Sequence, residues 1–309
     1  MNSMPRRMTA SFFVLISIPL PAVGAAQTGS AASRNTNEND AKLTLREMRS
    51  SPLDLEVTGA LAGLPAGTTR FVRRDDLSQL PQVSLIVTDD PNFRRTVNVR
   101  GVELDLLARA LASSAEKSVI VALCVDRYRS YYPQSYREIH KPVLVLEIDN
   151  QPPTAWPQNP EVSGLSMGPY LVTQSNFAPA FTVLGHADEA QIPWGVVQLE
   201  FRNPETAFAS IAPPGPGAEN PAVQAGYRIS QQNCLRCHGP ESEEPLKGKL
   251  TWAGISSFAA QAPKNFAAYV RNPKALSQDA KMPPNPSYDA ATLDALIAYF
   301  KTFVASGTP

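Results

Sequence analysis

Apolar and polar positions follow two regimes along this 309-residue chain. In the first, short apolar runs rich in β-branched residues are bounded by turn-forming ones. Val83-Ser-Leu-Ile-Val-Thr88, Val119-Ile-Val-Ala-Leu-Cys-Val125, Val143-Leu-Val-Leu-Glu-Ile148 and Trp194-Gly-Val-Val-Gln-Leu-Glu-Phe201 read as strands. Residues 102–111 carry a helical apolar stripe instead. Strands separated by turns, with a lone helix among them, predict an α+β fold with a mixed sheet over residues 46–205. That length, about 160 residues, suffices for one independent core. In the second regime, from 223 to 306, the period becomes helical. Residues 222–233, 265–271 and 289–304 predict helices. Leu293, Leu296, Ile297 and Phe300 stripe the last, with Asp289 as N-cap and Gly307 as stop. The chain is thus expected to be two domains, α+β followed by all-α. Ile211-Ala-Pro-Pro-Gly-Pro-Gly-Ala-Glu-Asn-Pro221 predicts a semi-rigid linker over 206–222. No repeat of 20–50 residues stands out.

The N-terminus adds a compartment. Arg6-Arg7 precede an apolar stretch over 10–20, which Pro19 and Pro21 break before small residues at 22–26. This is the pattern of a secretory signal peptide over 1–26, which implies a periplasmic protein. An uncleaved membrane tether is the alternative, although the run falls short of the ~20 apolar residues of a span. Polar, small residues make 27–45 a disordered lead-in. Without Arg6 and Arg7 the chain has 26 basic against 28 acidic residues, a net charge of −2. Near-neutrality argues against nucleic acid as a partner.

Cys234-Leu235-Arg236-Cys237-His238 is the most specific chemistry in the chain. A C-x-x-C-H run is the signature of a covalent c-type haem. Two thiols add across the two vinyl groups, and the imidazole becomes an axial iron ligand. On a helical turn, positions i, i+3 and i+4 project from one face. Half of a zinc site is the first rival, but such a site needs four protein ligands. Only Cys124, His140 and His186 remain, with no second close pair. A C-x-x-C redox pair is the second rival, but it belongs at the start of a helix, and this run follows a helix body. With two of three cysteines in the motif, Cys124 has no intramolecular partner, so a disulfide-stapled fold is excluded. A low-spin electron carrier needs a sixth ligand. Met282, in Lys281-Met282-Pro283-Pro284, is the best candidate, because flanking prolines stiffen its loop. A Met–His pair favours reduced iron and raises the potential. His140 and His186 rival it only if the two domains interlock.

Residues 223–306 together resemble the class I cytochrome c domain: Gly226-Tyr227 before the haem motif, Asn272-Pro273 after a middle helix, then the ligand loop and a final helix. The resemblance implies one covalent haem c on Cys234 and Cys237, with His238 and Met282 as iron ligands. It also implies that Tyr227, Pro273 and Tyr299 help wall the pocket, and that Tyr299 meets Gly226 where the last helix crosses the first. The stretch 241–249, acidic and then basic, departs from the commoner Gly-rich segment.

Phrases in the front half resemble the molybdopterin-binding domain of the sulfite oxidase family. They are Leu55-Glu-Val-Thr-Gly59, residues 69–81, Gly101-Val-Glu-Leu-Asp-Leu-Leu107, Ala122-Leu-Cys-Val-Asp-Arg-Tyr128 and Gly168-Pro-Tyr-Leu-Val172. That family ligates molybdenum through a cysteine shortly after the strand corresponding to Val83–Thr88. Here the chain reads Asp89-Asp-Pro-Asn-Phe-Arg-Arg95, and Cys124 falls on a later strand as a small core residue. The expectation is a cofactor-free relative, without molybdopterin. Arg94, Arg95 and Arg100 are either an anion site or a solvated face.

These readings lead to an electron carrier or an electron-transfer subunit of an oxidoreductase rather than an enzyme. It would be a periplasmic mono-haem cytochrome whose front domain docks to a redox partner such as a dehydrogenase, an oxidase or another cytochrome. The alternatives are a fused sulfite-dehydrogenase-type oxidoreductase with a working molybdopterin domain, and a haem-based ligand sensor.

Overall fold

The computed structural model describes residues 43–113, 117–158 and 166–305. The expected signal peptide, most of the lead-in and Gly307 lie outside the described residues. The strand-forming runs assemble β1 (Leu55–Gly59), β2 (Arg70–Val72), β3 (Val83–Val87), β4 (Val97–Glu103), β5 (Val119–Cys124), β6 (Arg129–Tyr132), β7 (Val143–Ile148), β8 (Tyr170–Thr173) and β11 (Trp194–Arg202) into one nine-stranded sheet. β9 (Thr182–Val183) and β10 (His186–Ala187) form a separate small hairpin. The order is β2-β1-β11-β8-β7-β4-β3, with β5 paired to β11 and β6 to β5. β1 lies parallel to β11 and the other pairings are antiparallel, so the sheet is mixed as expected.

Side-chain alternation decides what each face of the sheet buries. Ile120, Ala122 and Cys124 of β5 enter the main core with α2 (Leu104–Leu111), while Val119 and Val121 on the opposite face enter the core of the C-terminal helices. β6 divides likewise, Tyr132 to the first core and Tyr131 to the second. A strand buried on both faces reads as a continuous apolar run, which is why 119–125 stood out. At the other end of the sheet, Val97, Val99, Val145 and Leu171 form a third cluster with Trp156 and Met167.

Three expectations need correcting. The front region holds three helices rather than a lone one: α1 (Arg74–Ser78), α2 and α3 (Gln134–His140). α3 has no apolar stripe to betray it. It is held by the fully buried Arg137, which donates to Asp105 Oδ1 at 2.7 Å, Ser118 O at 2.6 Å and Tyr132 O at 2.7 Å. The lead-in does not extend to residue 45, because Leu43 is buried, Leu45 packs on the main core and Arg46 bridges to Phe71. The start of the 206–222 segment is packed rather than a spacer: Ala207 and Ile211 are buried, and Phe208 meets the Tyr131 ring at 5.8 Å.

The C-terminal region is all-α: α4 (Pro221–Gln232), α5 (Trp252–Gln261), α6 (Pro263–Arg271), α7 (Pro273–Leu276) and α8 (Ala290–Ala305). Asn220 caps α4 through Ala222 N–H at 2.9 Å, and Asp289 accepts from Thr292 N–H at 2.8 Å at the start of α8. α5 was not marked by periodicity, since its sequence is apolar or small around most of its circumference. α4 and α8 cross at Gly226, where a Cβ would lie 2.2 Å from Ala295 O and 2.7 Å from Tyr299 Cβ.

Candidate functional site

The chain leaves α4 through Asn233 and turns at once in a 3₁₀ turn, Cys234–Arg236. His238 N–H donates to Cys234 O at 3.0 Å, closing an i to i+4 turn around the C-x-x-C-H run. Burial pushes the Cys234 thiol up to about 12 and raises Cys237 as well. Burial lowers His238, and its hydrogen bond to Leu250 opposes that shift.

The imidazole is oriented by residues outside the motif. Nδ1 donates to Leu250 O at 2.7 Å, so the proton sits on Nδ1 and the Nε2 lone pair is left for a metal. Gly248 lies against the ring: a Cβ there would be 2.4 Å from His238 Cε1. Gly248 N–H donates to Cys237 O at 2.7 Å and Trp252 N–H to Gly239 O at 2.7 Å, which pins the loop between motif and α5. Leu250 and Gly248 were missed from sequence. A lone glycine in a charged stretch was the one signal available.

Met282 is half-buried and packs against the same apolar cluster that Cys234 and Tyr227 flank and that contains Tyr299. Tyr299 is fully buried at the helix crossing. Its ring stacks on Tyr227 at 5.7 Å and its hydroxyl donates to Ile211 O. The Tyr227 hydroxyl donates to Phe208 O at 3.3 Å, so both rings brace the crossing. Pro273 is buried at the start of α7. Two thiols, an imidazole with a free Nε2 and a thioether packed on the same apolar cluster as Cys234 are the donor types that a covalent haem requires. Cys234 and Cys237 would hold its edge, and His238 and Met282 its iron.

The front region interlocks with this site, yet both rival histidines are engaged. The Tyr288 hydroxyl lies 2.9 Å from His186 Nδ1, and His186 Nε2 lies 3.2 Å from Gln232 Oε1. His140 bonds Asn176 O at 2.7 Å and Asp188 Oδ2 at 2.8 Å. Arg236, the second variable residue of the motif, pairs with Glu189 at 2.9 Å and donates to Ala190 O at 3.3 Å. Beyond the motif, Glu243 pairs with Arg202 at 2.9 Å and Arg129 at 3.6 Å, and Lys247 with Asp126 at 2.6 Å. Among the described residues, no group of three or more His, Cys, Asp or Glu gathers as a further metal site.

In the segment after β3, Asp90 is buried, accepting from Thr173 Oγ1 at 2.8 Å and Asn92 N–H at 2.8 Å. Cys124 is buried in the main core, and burial raises its thiol well above the ordinary range. Arg95 pairs with Asp149 at 2.7 Å and Arg100 with Glu147 at 2.6 Å on a solvated face.

Residues 221–300 match the family model described as cytochrome C oxidase, cbb3-type, subunit III. The C-terminal region is therefore a cytochrome c domain, a haem-carrying electron-transfer module. No curated protein sequence matches the chain. Among solved structures, the crystal structure of the sulfane dehydrogenase SoxCD from Paracoccus pantotrophus is 11% identical, with a TM-score of 0.32, over 51% of this chain and 40% of that one. This chain thus matches less than half the length of that neighbour.

Proposed function

We propose that the protein is a periplasmic mono-haem c-type cytochrome that passes single electrons between redox proteins. The observation that carries this reading is His238, held by Leu250 and Gly248 with Nε2 free, one residue beyond a C-x-x-C pair. A bound haem would supply one-electron exchange between ferric and ferrous iron. The chain's own work is to anchor it through Cys234 and Cys237, to fix the imidazole plane and to present the Met282 thioether from a Pro-stiffened loop. Electron transfer needs no substrate pocket at the iron, only a small, quickly dissociating interface with the partner.

The front region is assigned a docking role, as a molybdopterin-oxidoreductase-like relative without its metal. The core position of Cys124 and the aspartate at position 90 bear on the lost metal thiolate alone, and the docking role rests on the haem reading. The export reading rests on the pattern over 1–26, with a membrane tether if that segment is retained. Elemental analysis of protein made where both cofactors are inserted should find one iron and no molybdenum per chain. One of each would replace the carrier with an enzyme. Met282→Ala should open the sixth position and sharply lower the potential, and an unchanged potential and visible spectrum would remove Met282 from the site.

A further inference from the structure

One segment of the front region, residues 186–191, touches the haem-attachment turn and the far end of the Met282 loop together. Its partners form a directional chain of hydrogen bonds. The Asn233 amide, next to Cys234, donates to Asn285 Oδ1 at 2.9 Å and to the Tyr288 hydroxyl at 2.7 Å. Tyr288 in turn donates to His186 Nδ1, leaving the imidazole proton on Nε2 to reach Gln232 Oε1. His186 and Tyr288 are both buried, and their rings meet edge to face at 5.5 Å. The Tyr288 backbone is fixed separately, its carbonyl accepting from Arg271 at 3.0 Å.

The rest of the segment is held from both sides. Glu189 pairs with Arg236 while Ala190 O accepts from it, and Gln191 Nε2 donates to Gln232 O at 3.3 Å. On the sheet side, Asp188 bonds His140, Gln191 O accepts from the Tyr132 hydroxyl at 2.8 Å, and Gln191 N–H donates to the Tyr136 hydroxyl at 2.7 Å. Next to the segment, Gly185 N–H donates to Thr292 Oγ1 at 2.8 Å on α8.

We propose that residues 186–191 are the positioning strap of the haem site, holding the attachment turn through Arg236 and the Met282 loop through Tyr288. This deepens the haem reading and rests on it. His186, Glu189 and Tyr288 are positioning residues, acting through Arg236 and the loop rather than on the iron.

The test uses the full-length, haem-loaded protein and two readouts: affinity of the ferric form for added imidazole, and midpoint potential. Tyr288→Phe keeps the ring and removes the hydroxyl, and His186→Gln breaks the same link from the other side. Both should admit imidazole at least tenfold more tightly and lower the potential, as the thioether is released more readily. Glu189→Gln leaves the Arg236 charge without its partner and should raise the potential, because added positive charge beside the haem disfavours ferric iron. Opposite signs separate positioning from general loosening, which would move all three variants the same way. Imidazole affinity within twofold of the parent in both Tyr288→Phe and His186→Gln overturns the strap. Should those two fail to accumulate, Glu189→Gln, at the partly exposed rim, is read by imidazole affinity instead: release of Arg236 should raise it severalfold, and an affinity within twofold of the parent overturns the strap. Parent protein without covalent haem would instead overturn the haem reading itself.

Discussion

The two regions bury their cores differently. The front sheet's main core is drawn from its own region, from its strands and from α1, α2 and α3. The helical region's core is not self-contained: Val119, Val121, Tyr131 and Val183 of the front region sit in it beside Ile229, Trp252, Leu296 and Phe300. The lesson is that a strand with two buried faces serves two neighbours at once. The cytochrome c domain here is built onto a sheet rather than tethered to one. The ion pairs of Glu243 with Arg129 and Arg202 reinforce the same junction.

Tyr131→Ala attacks that junction most directly and should cost about 4 kcal/mol, by analogy with large-to-small changes at buried aromatics. If the helical region leans on the sheet, haem absorbance and sheet circular dichroism should be lost together at lower denaturant. Separate transitions would show two independent cores. Gly226→Ala tests the helical region's internal packing instead. The added Cβ meets the backbone oxygen of Ala295, which cannot move without shifting α8, so about 2 kcal/mol should be lost. Denaturation at fixed pH measures it, and a neutral result would mean that the crossing has slack.

Acid should act on the strap. Burial lowers the His186 pKa in the folded state, so the unfolded chain binds its proton more readily. Stability from this group is therefore full above its ordinary value near 6.5 and declines as pH falls below it. Glu189 and Asp188 favour the charged ring and Arg236 opposes it, while a protonated Nδ1 can no longer accept from Tyr288. Denaturation midpoints between pH 8 and pH 5 should drop more in the parent than in His186→Gln, and equal drops would clear His186. The smallest effect belongs to Lys247→Ala. Its pair with Asp126 is partly solvated, and the loss should stay below about 1 kcal/mol in a denaturant titration at moderate salt.

Several elements were legible because their signals are local. β7 occupies 143–148 as read, the expected opening strand is β1, and the last helix begins one residue after its Asp289 cap. The Gly226–Tyr299 contact followed from the cytochrome c resemblance and is observed. α3 was not legible, because it is stabilised by Arg137 reaching residues on other elements rather than by periodicity. Gly248 and Leu250 escaped notice because nothing in a charged loop indicates which carbonyl will meet an imidazole ten or so residues earlier.

By itself the sequence determined the chemistry that adjacency dictates. Two thiols and an imidazole within five residues share one turn whatever surrounds them. It also determined which runs become strands, since β-branched apolar segments have few other places to go. Only the tertiary structure decided what those pieces meet. His186 and Tyr288 are 102 residues apart, and Arg236 and Ala190 are 46 apart. Such pairs form when a sheet face and a helix bundle bury one another, and no local pattern along the chain encodes the register of that burial.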